Sequence, residues 1–226
     1  LISVLFPMRL MAAGVSSAVA MSEFGVVYGM VVPILMVPST LISSLALVLV
    51  PEISECYYKK QHEKLSALLS KALNTSLLVA FALIPFFLVC GENVGIFLFS
   101  NVESGKMLSY SAFMLIPMSI TMISTSLLNS MNCEKQTLLF FLFGSAFMLL
   151  SVLILPKYLG SGALILGMFG DFTIAAVCSL LLLRKKAGKL QSGKYLLKLS
   201  LCSLAATLFG LGVRFLLMRC MGYVAA

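Results

Sequence analysis

Long uncharged runs, fenced by short basic stretches, restrict this chain more than any other feature. No Asp, Glu, Lys or Arg falls between Glu23 and Glu52, between Lys71 and Glu92, between Lys106 and Glu134, or between Lys135 and Lys157. From Lys157 to Arg184 the only charge is Asp171, and from Lys198 to Arg214 there is none. A helix needs about 20 such residues to cross about 30 Å of hydrocarbon. Every gap but the last supplies that length, and the last does so if Arg214 snorkels toward the interface. A strand rarely exceeds about 10 residues. The chain therefore reads as an all-α, polytopic transmembrane helical bundle.

Composition agrees. Of 226 residues, 61% are hydrophobic and 11% charged, against about 25% charged in soluble domains. Six spans are expected, at 24–50, 71–90, 107–131, 135–156, 159–183 and 195–219. In "LALVLVPEISE" (45–55) the apolar run turns abruptly polar, so Pro51 is expected to stop the first span, with Glu52 and Glu55 opening a polar loop. Residues 1–23 are too short on either side of Arg9 to span. "AVA" at 18–20 resembles a signal-peptidase site, yet the apolar residues precede Arg9, the wrong order for a signal peptide. Residues 1–6 are expected to be the tail of a helix that begins before Leu1, and the rest of 1–23 an extracellular connection.

Loop charge sets the orientation. The connections at 51–71, 132–135 and 184–198 carry Lys59, Lys60, Lys64, Lys71, Lys135, Arg184, Lys185, Lys186, Lys189, Lys194 and Lys198. The opposite side has Lys106, Lys157 and Arg219, and Arg9 if counted. The first set is expected to be cytoplasmic. The net charge of +8 is thus a topology signal rather than a sign of nucleic acid. The basic segment "RKKAGKLQSGK" (184–194) is a candidate for anionic lipid headgroups. There is no Trp, and Tyr28, Tyr57, Tyr58, Tyr110, Tyr158, Tyr195 and Tyr223 fall near expected helix ends, at headgroup level.

Several spans carry features that a mere anchor does not need. Pro33 and Pro38 lie in the first, Pro85 in the second and Pro117 in the third. Each removes a backbone hydrogen bond and is a candidate hinge. Lipid cannot repair the freed carbonyls, so such helices pack on others or line a cavity. "GMFGDF" (167–172) puts Asp171 near mid-membrane. A carboxylate there costs roughly 2.5–3.5 kcal/mol on insertion scales and is usually aimed at a cavity or a partner. Asp171 is the candidate protonatable or cation-binding group, the alternative being an acid neutralised by protonation or by a neighbouring helix. Arg9 and Glu23 are candidates for an outer vestibule, or else for headgroup contact. Asn129 is a candidate pathway residue, or an interfacial helix cap.

Enzyme chemistry has little support. The single histidine, His62, falls in a loop, so Ser145 and Ser161 have no base within reach, and no G-x-x-x-x-G-K-[ST] phosphate loop is present. Cys90, Cys178 and Cys202 sit in apolar runs as small hydrophobes, and the six cysteines imply neither a metal site nor a disulfide framework. No cofactor is implied. The chain is expected not to be an enzyme, and any transport would draw on an ion gradient or on substrate flow.

An ordered set of segments resembles a known family. "FPMRLMAAG" (6–14) and "GMVVPILMVPSTLISSLALVLVPEISE" (29–55) are similar to the second half of the SpoVB-like flippases of the multidrug/oligosaccharidyl-lipid/polysaccharide (MOP) exporter superfamily. These carry an "IPRRL" element ahead of a helix of the form P-x4-P…L.P.ISE. "IFLFSN" (96–101) and "LNSMNCEKQ" (128–136) resemble further elements of that family, and the likeness runs over most of 6–185. It implies the C-terminal lobe of a MOP-type fold. Residues 1–6 would end the seventh of fourteen helices, and the six spans would be the eighth to the thirteenth. It also implies alternating access between two lobes, an undecaprenyl-linked sugar as substrate, and H+ or Na+ as candidate coupling ion. The partners so implied are membrane lipids and a missing N-terminal lobe. Two departures count against the peptidoglycan-precursor branch typified by MurJ. The arginine which that branch places five residues before its second helix proline is here Pro33, and 138–155 lacks the Asp or Asn of its sodium site. The branch tied to spore-envelope or polysaccharide export fits better. The rival class is a non-transporting membrane scaffold or truncated remnant in envelope assembly.

Overall fold

A computed structural model describes residues 2–188 and 193–224, with side chains given throughout except at 193, 194, 196 and 215–224. Leu1 and Lys189, and the side chains of Lys194, Arg219 and Tyr223, lie outside the described residues. The described chain is helical. The first helices are α1 (Ile2–Ala12) and α2 (Ser17–Gly25), with a π-helical stretch (Val26–Val31) running without a break into α3 (Val32–Tyr58). Then come α4 (His62–Phe99), α5 (Val102–Ser111), and a 3-10 turn (Ala112–Met114) that joins α5 to α6 (Leu115–Ser130). The remainder is α7 (Glu134–Ile154), the single turn α8 (Pro156–Leu159), α9 (Gly162–Ala187) and α10 (Gly193–Val224). Six of the helical segments are long and apolar enough to cross a membrane among the described residues. The chain is a multi-pass membrane protein.

The crossings agree in number and order with the uncharged runs, but several boundaries move; α4, for one, runs nine residues past the expected end at 90, to Phe99. Pro51 does not end the first span: the helix runs on to Tyr58. The hydrogen bond lost at Pro51 is a small local defect beside the burial gained further along, because Ile53 and Cys56 in the extension are buried at 0% and 1% exposure. They pack against Leu65 and Leu69 at the start of α4, which begins at His62. The expected polar loop at 51–71 is therefore two helix ends joined by a turn at 59–61, with Lys60 in the left-handed region at φ 55°. Lys64 pairs with Glu52 across this turn at 3.2 Å, and Lys59 pairs with Glu55 one turn back along the end of α3 at 2.5 Å. At the other end the first span begins earlier than residue 24. The Ser16 side chain accepts a hydrogen bond from the Val19 N–H at 3.4 Å and caps α2 at Ser17. The helix tail expected at 1–6 extends to Ala12, and the connection expected from there to 23 shrinks to the turn between α1 and α2. Tyr28, expected at a helix end, lies instead inside this long helix.

Three buried clusters stack along the bundle. One end is sealed by Ile53, Cys56, Leu65, Leu127, Met131, Cys133 and Leu183, drawn from α3, α4, α6, α9 and the turn after α6. The middle holds Leu35, Leu77, Ile84, Leu108, Leu115, Met148 and Met168. The far end joins α1 and α2 to α7 and α9 through Phe6, Leu10, Ala20, Val152 and Leu164. The segment α5–α6 is the central post: 67% of its apolar window is buried, against 6% for the Leu197–Arg214 window of α10. The turns at 59–61 and 131–133 meet at the first end, where Lys186 Nζ donates to the Tyr57 hydroxyl at 3.0 Å. The fold thus gathers the basic connections on one side.

Small residues bring the helices close, as membrane interfaces require when lipid supplies no hydrophobic drive. At the α4–α5 hairpin, a Cβ added to Gly95 would overlap the backbone of Gly105, and one on Gly91 would come 2.5 Å from Ser109 Oγ. Ser109 Oγ in turn donates to the Phe87 carbonyl at 3.1 Å. Ser100, left-handed at φ 51°, ends α4, and Asn101 caps α5 by accepting from the Ser104 N–H at 3.1 Å.

Candidate functional site

The candidate residues divide by depth along the bundle. At mid-depth, α7 and α9 touch through glycines. A Cβ on Gly144 would overlap Asp171 Oδ1 and lie 2.8 Å from the Asp171 carbonyl oxygen; one on Gly170 would overlap the Phe147 ring. Gly167 faces Ser151 and Met148, with an added Cβ 3.2 Å from Ser151 Cβ. Asp171 is half-buried in this seam. Tyr28, also half-buried, lies within electrostatic reach of it. Its ring stacks on Phe24 at 4.8 Å between centroids, and its hydroxyl points to Met148 Sδ at 4.0 Å. One acid, one phenol and bare glycine backbone therefore converge where α7, α9 and the π-helical stretch meet. Close by, Thr121 of α6 donates to the Phe172 carbonyl at 2.9 Å and ties α9 to the central post.

The other candidates lie elsewhere. Arg9 donates from Nε to the Leu153 carbonyl at 2.8 Å, in the last turn of α7. A cation there answers both an orphan carbonyl and the negative end of the helix dipole. Glu23 sits against the turn before α9: an added Cβ on Gly160 (φ +52°) would come 3.2 Å from Glu23 Oε2. That oxygen is buried and accepts no hydrogen bond. Arg9 and Glu23 thus flank the same α7–α9 connection. Asp171 is some 16 Å further along α9 at 1.5 Å per residue. Asn129 belongs to the opposite, basic end, where its Oδ1 accepts from Thr137 Oγ1 at 2.9 Å across the α6–α7 turn.

The prolines fall into two kinds. Pro33 is the second residue of α3, just past the π-helical stretch, where the Val32 N–H bonds back to the Val27 carbonyl. Pro117 follows the 3-10 turn at 112–114. Pro38 and Pro85 lie within continuous α-helix. Along the π-helical stretch and α3, Gly29, Pro33, Thr40, Ser44 and Pro51 share one exposed face at spacings of four and seven residues, interleaved with exposed Met36 and Leu47. Thr40 donates to the Val37 carbonyl at 2.7 Å and Ser44 to the Thr40 carbonyl at 2.9 Å.

Two features were not anticipated from the sequence. Arg214, treated there as a snorkelling residue, pairs with Glu92 (Nη2 to Oε2, 2.8 Å) and donates from Nη1 to the Val89 carbonyl at 2.9 Å. It pins α10 to α4, and Gly210 opposite Val89 permits the approach. The second is a cleft of about 730 Å³ at the basic end, lined by the first turns of α4 together with Ala187 and Tyr195. His62, expected in a loop, is the first residue of α4 and borders this cleft. A charge count along the chain could not foresee either, because both join segments far apart in sequence.

No protein-family model, no curated protein and no solved structure matches this chain.

Proposed function

We propose that this chain is the C-terminal lobe of a flippase that moves an undecaprenyl-linked sugar across the bacterial cytoplasmic membrane by alternating access. The basic connections face the cytoplasm in this reading. The observation that carries it is the exposed face of α3. A helix in contact with lipid on all its free sides has no use for Gly29, Pro33, Thr40, Ser44 and Pro51 on one of them. Pro33 and Pro51 free carbonyls that lipid cannot satisfy, whereas water in a cavity or a facing lobe can. The π-helical stretch ahead of Pro33 supplies the break expected where a transporter helix bends around its site. Asp171, held between glycines with Tyr28 nearby, is the group to which a coupling proton or Na+ is assigned.

The test is solvent access to that face. In a background with the native cysteines replaced, Thr40→Cys and Ser44→Cys are labelled in membranes by a water-soluble thiol reagent. Undecaprenyl-linked sugar is then added as protectant. The expected result is labelling at both positions, slowed by the substrate. Labelling at neither, with both reachable only by membrane-soluble reagents, overturns the reading in favour of a lipid-facing helix.

A further inference from the structure

The basic-end cleft is separate from the α3 face and from Asp171, and its argument does not depend on the transport reading. At about 730 Å³ it falls within the ~300–1,000 Å³ span of small-ligand sites. Its depth in the membrane is fixed by the sequence on both walls. On α4, Lys71 is the last charge before the uncharged run 72–91. On α10, Tyr195 lies just ahead of the apolar window Leu197–Arg214. The cleft therefore opens where charges give way to hydrocarbon, at headgroup level.

The chemistry of its wall is specific. Lys59, Lys64 and Lys186 are engaged with Glu55, Glu52 and Tyr57, but Lys71, on the cleft wall, forms no ion pair among the described residues. One turn on, Thr75 donates to the Lys71 carbonyl at 3.0 Å. Beside it Asn74, also on the wall, has an amide oxygen that is closed to solvent and accepts no hydrogen bond. A buried acceptor without a donor calls for an explanation, and a small turn of the amide toward a hydroxyl in the cleft gives one. Glu63, at the same mouth, accepts hydroxyls and repels a bare multivalent anion. Among the described residues, an unpaired cation beside two acceptors suits a singly charged phosphodiester that carries free hydroxyls.

We propose that this cleft binds the phosphodiester headgroup of a hydroxyl-bearing anionic membrane lipid, with Lys71 on the phosphate and Asn74 and Glu63 on the hydroxyls. The shared chemistry also exists in soluble glycerol phosphates, so the experiment separates the two. The full chain in detergent is titrated with short-chain phosphatidylglycerol, short-chain phosphatidylcholine, glycerol 3-phosphate and inorganic phosphate, and thermal stabilisation is read. Phosphatidylglycerol is expected to stabilise at the lowest concentration. Lys71→Gln should raise its half-saturating concentration about fivefold, the equivalent of one lysine near a lipid phosphate. Lys71→Arg should restore binding, and Lys135→Gln, on the same side but away from the cleft, should change nothing. Glu63→Gln should narrow the preference for phosphatidylglycerol over phosphatidylcholine. Equal response to both lipids, or equal weakening by Lys71→Gln and Lys135→Gln, would show diffuse surface attraction and overturn the site. Glycerol 3-phosphate or phosphate matching the lipid would overturn the lipid as its occupant.

Discussion

At the scale of single residues, Gly144 and Asp171 pack closely across the α7–α9 seam. Gly144→Ala places a methyl group against both the carboxylate and the backbone carbonyl of Asp171, so α7 and α9 must separate. Overpacking of this kind costs about 1–3 kcal/mol. Gly25 has nothing within 4 Å of an added Cβ, and Gly25→Ala should stabilise by up to about 1 kcal/mol through helix propensity. Thermal unfolding in detergent should therefore move in opposite directions for the two variants. Equal shifts would mean that the α7–α9 seam is looser than described. The seam also sharpens the question about Asp171. Asp171→Asn keeps the shape and removes the charge, so in a transport-competent assembly it should lower transport per molecule while leaving membrane abundance intact. Unchanged transport per molecule would make the acid structural, a carboxylate lodged against glycine backbone. The Arg214–Glu92 pair makes a third case. Arg214→Met leaves Glu92 without its partner at 33% side-chain exposure. The loss should lie between the ~0–1 kcal/mol of surface pairs and the ~3–5 kcal/mol of broken buried ones. The double variant with Glu92→Gln should recover most of it; no recovery in the double variant would show that the arginine acts through Val89 alone.

At the scale of elements, the number and order of crossings were legible because charge is excluded from hydrocarbon, and that rule does not depend on tertiary contacts. Their ends were less legible, for a physical reason visible at Pro51. A proline removes one hydrogen bond, but Ile53 and Cys56 beyond it bury themselves against α4, and that packing outweighs the local signal. The same holds for His62, which opens a helix where a charge count places a loop. The close approach of α4 to α5 did have a readable signature, glycines four apart in "GENVG" (91–95) facing a glycine and a serine four apart at 105 and 109. The site was less legible than the fold. Asp171 stands out in sequence as a lone intramembrane charge, whereas its companions Tyr28 and Gly144 come from segments more than a hundred residues apart. Orientation belongs to this scale too. Cysteines introduced at 59–61 should be shielded from impermeant reagents in intact cells, and ones near Ser104 or Ser161 should react. The opposite pattern would invert the assignment of the basic end to the cytoplasm.

At the scale of the whole molecule, the distribution of exposed surface bears on what the chain does alone. The bundle buries its central post but leaves much of α3, α7 and α10 uncovered. On α7 the uncovered side is largely apolar, with Leu138, Leu142, Phe143 and Leu150 among its exposed residues and Ser145, bonded back to the Leu142 carbonyl, the polar residue in its middle, and lipid suits it. On α3 it is not, since Pro33, Thr40, Ser44 and Pro51 interrupt it. Alternating access requires two halves rocking about a site at their interface, and the proposed reading puts the second half on the α3 side. Without it, carbonyls freed by proline face hydrocarbon, at several kcal/mol for each one left unsatisfied. These 226 residues expressed by themselves should insert in the membrane, fail to flip lipid-linked sugar in proteoliposomes, and self-associate on detergent extraction. Co-expression with an N-terminal lobe should restore a single species of defined size, because the partner covers the α3 face. Cysteine pairs between two copies should then cross-link through α3 in the isolated chain and lose that cross-link when the lobe is present. Robust flipping by the isolated chain would show that one bundle suffices, and cross-linking through α7 instead of α3 would move the partner surface to α7.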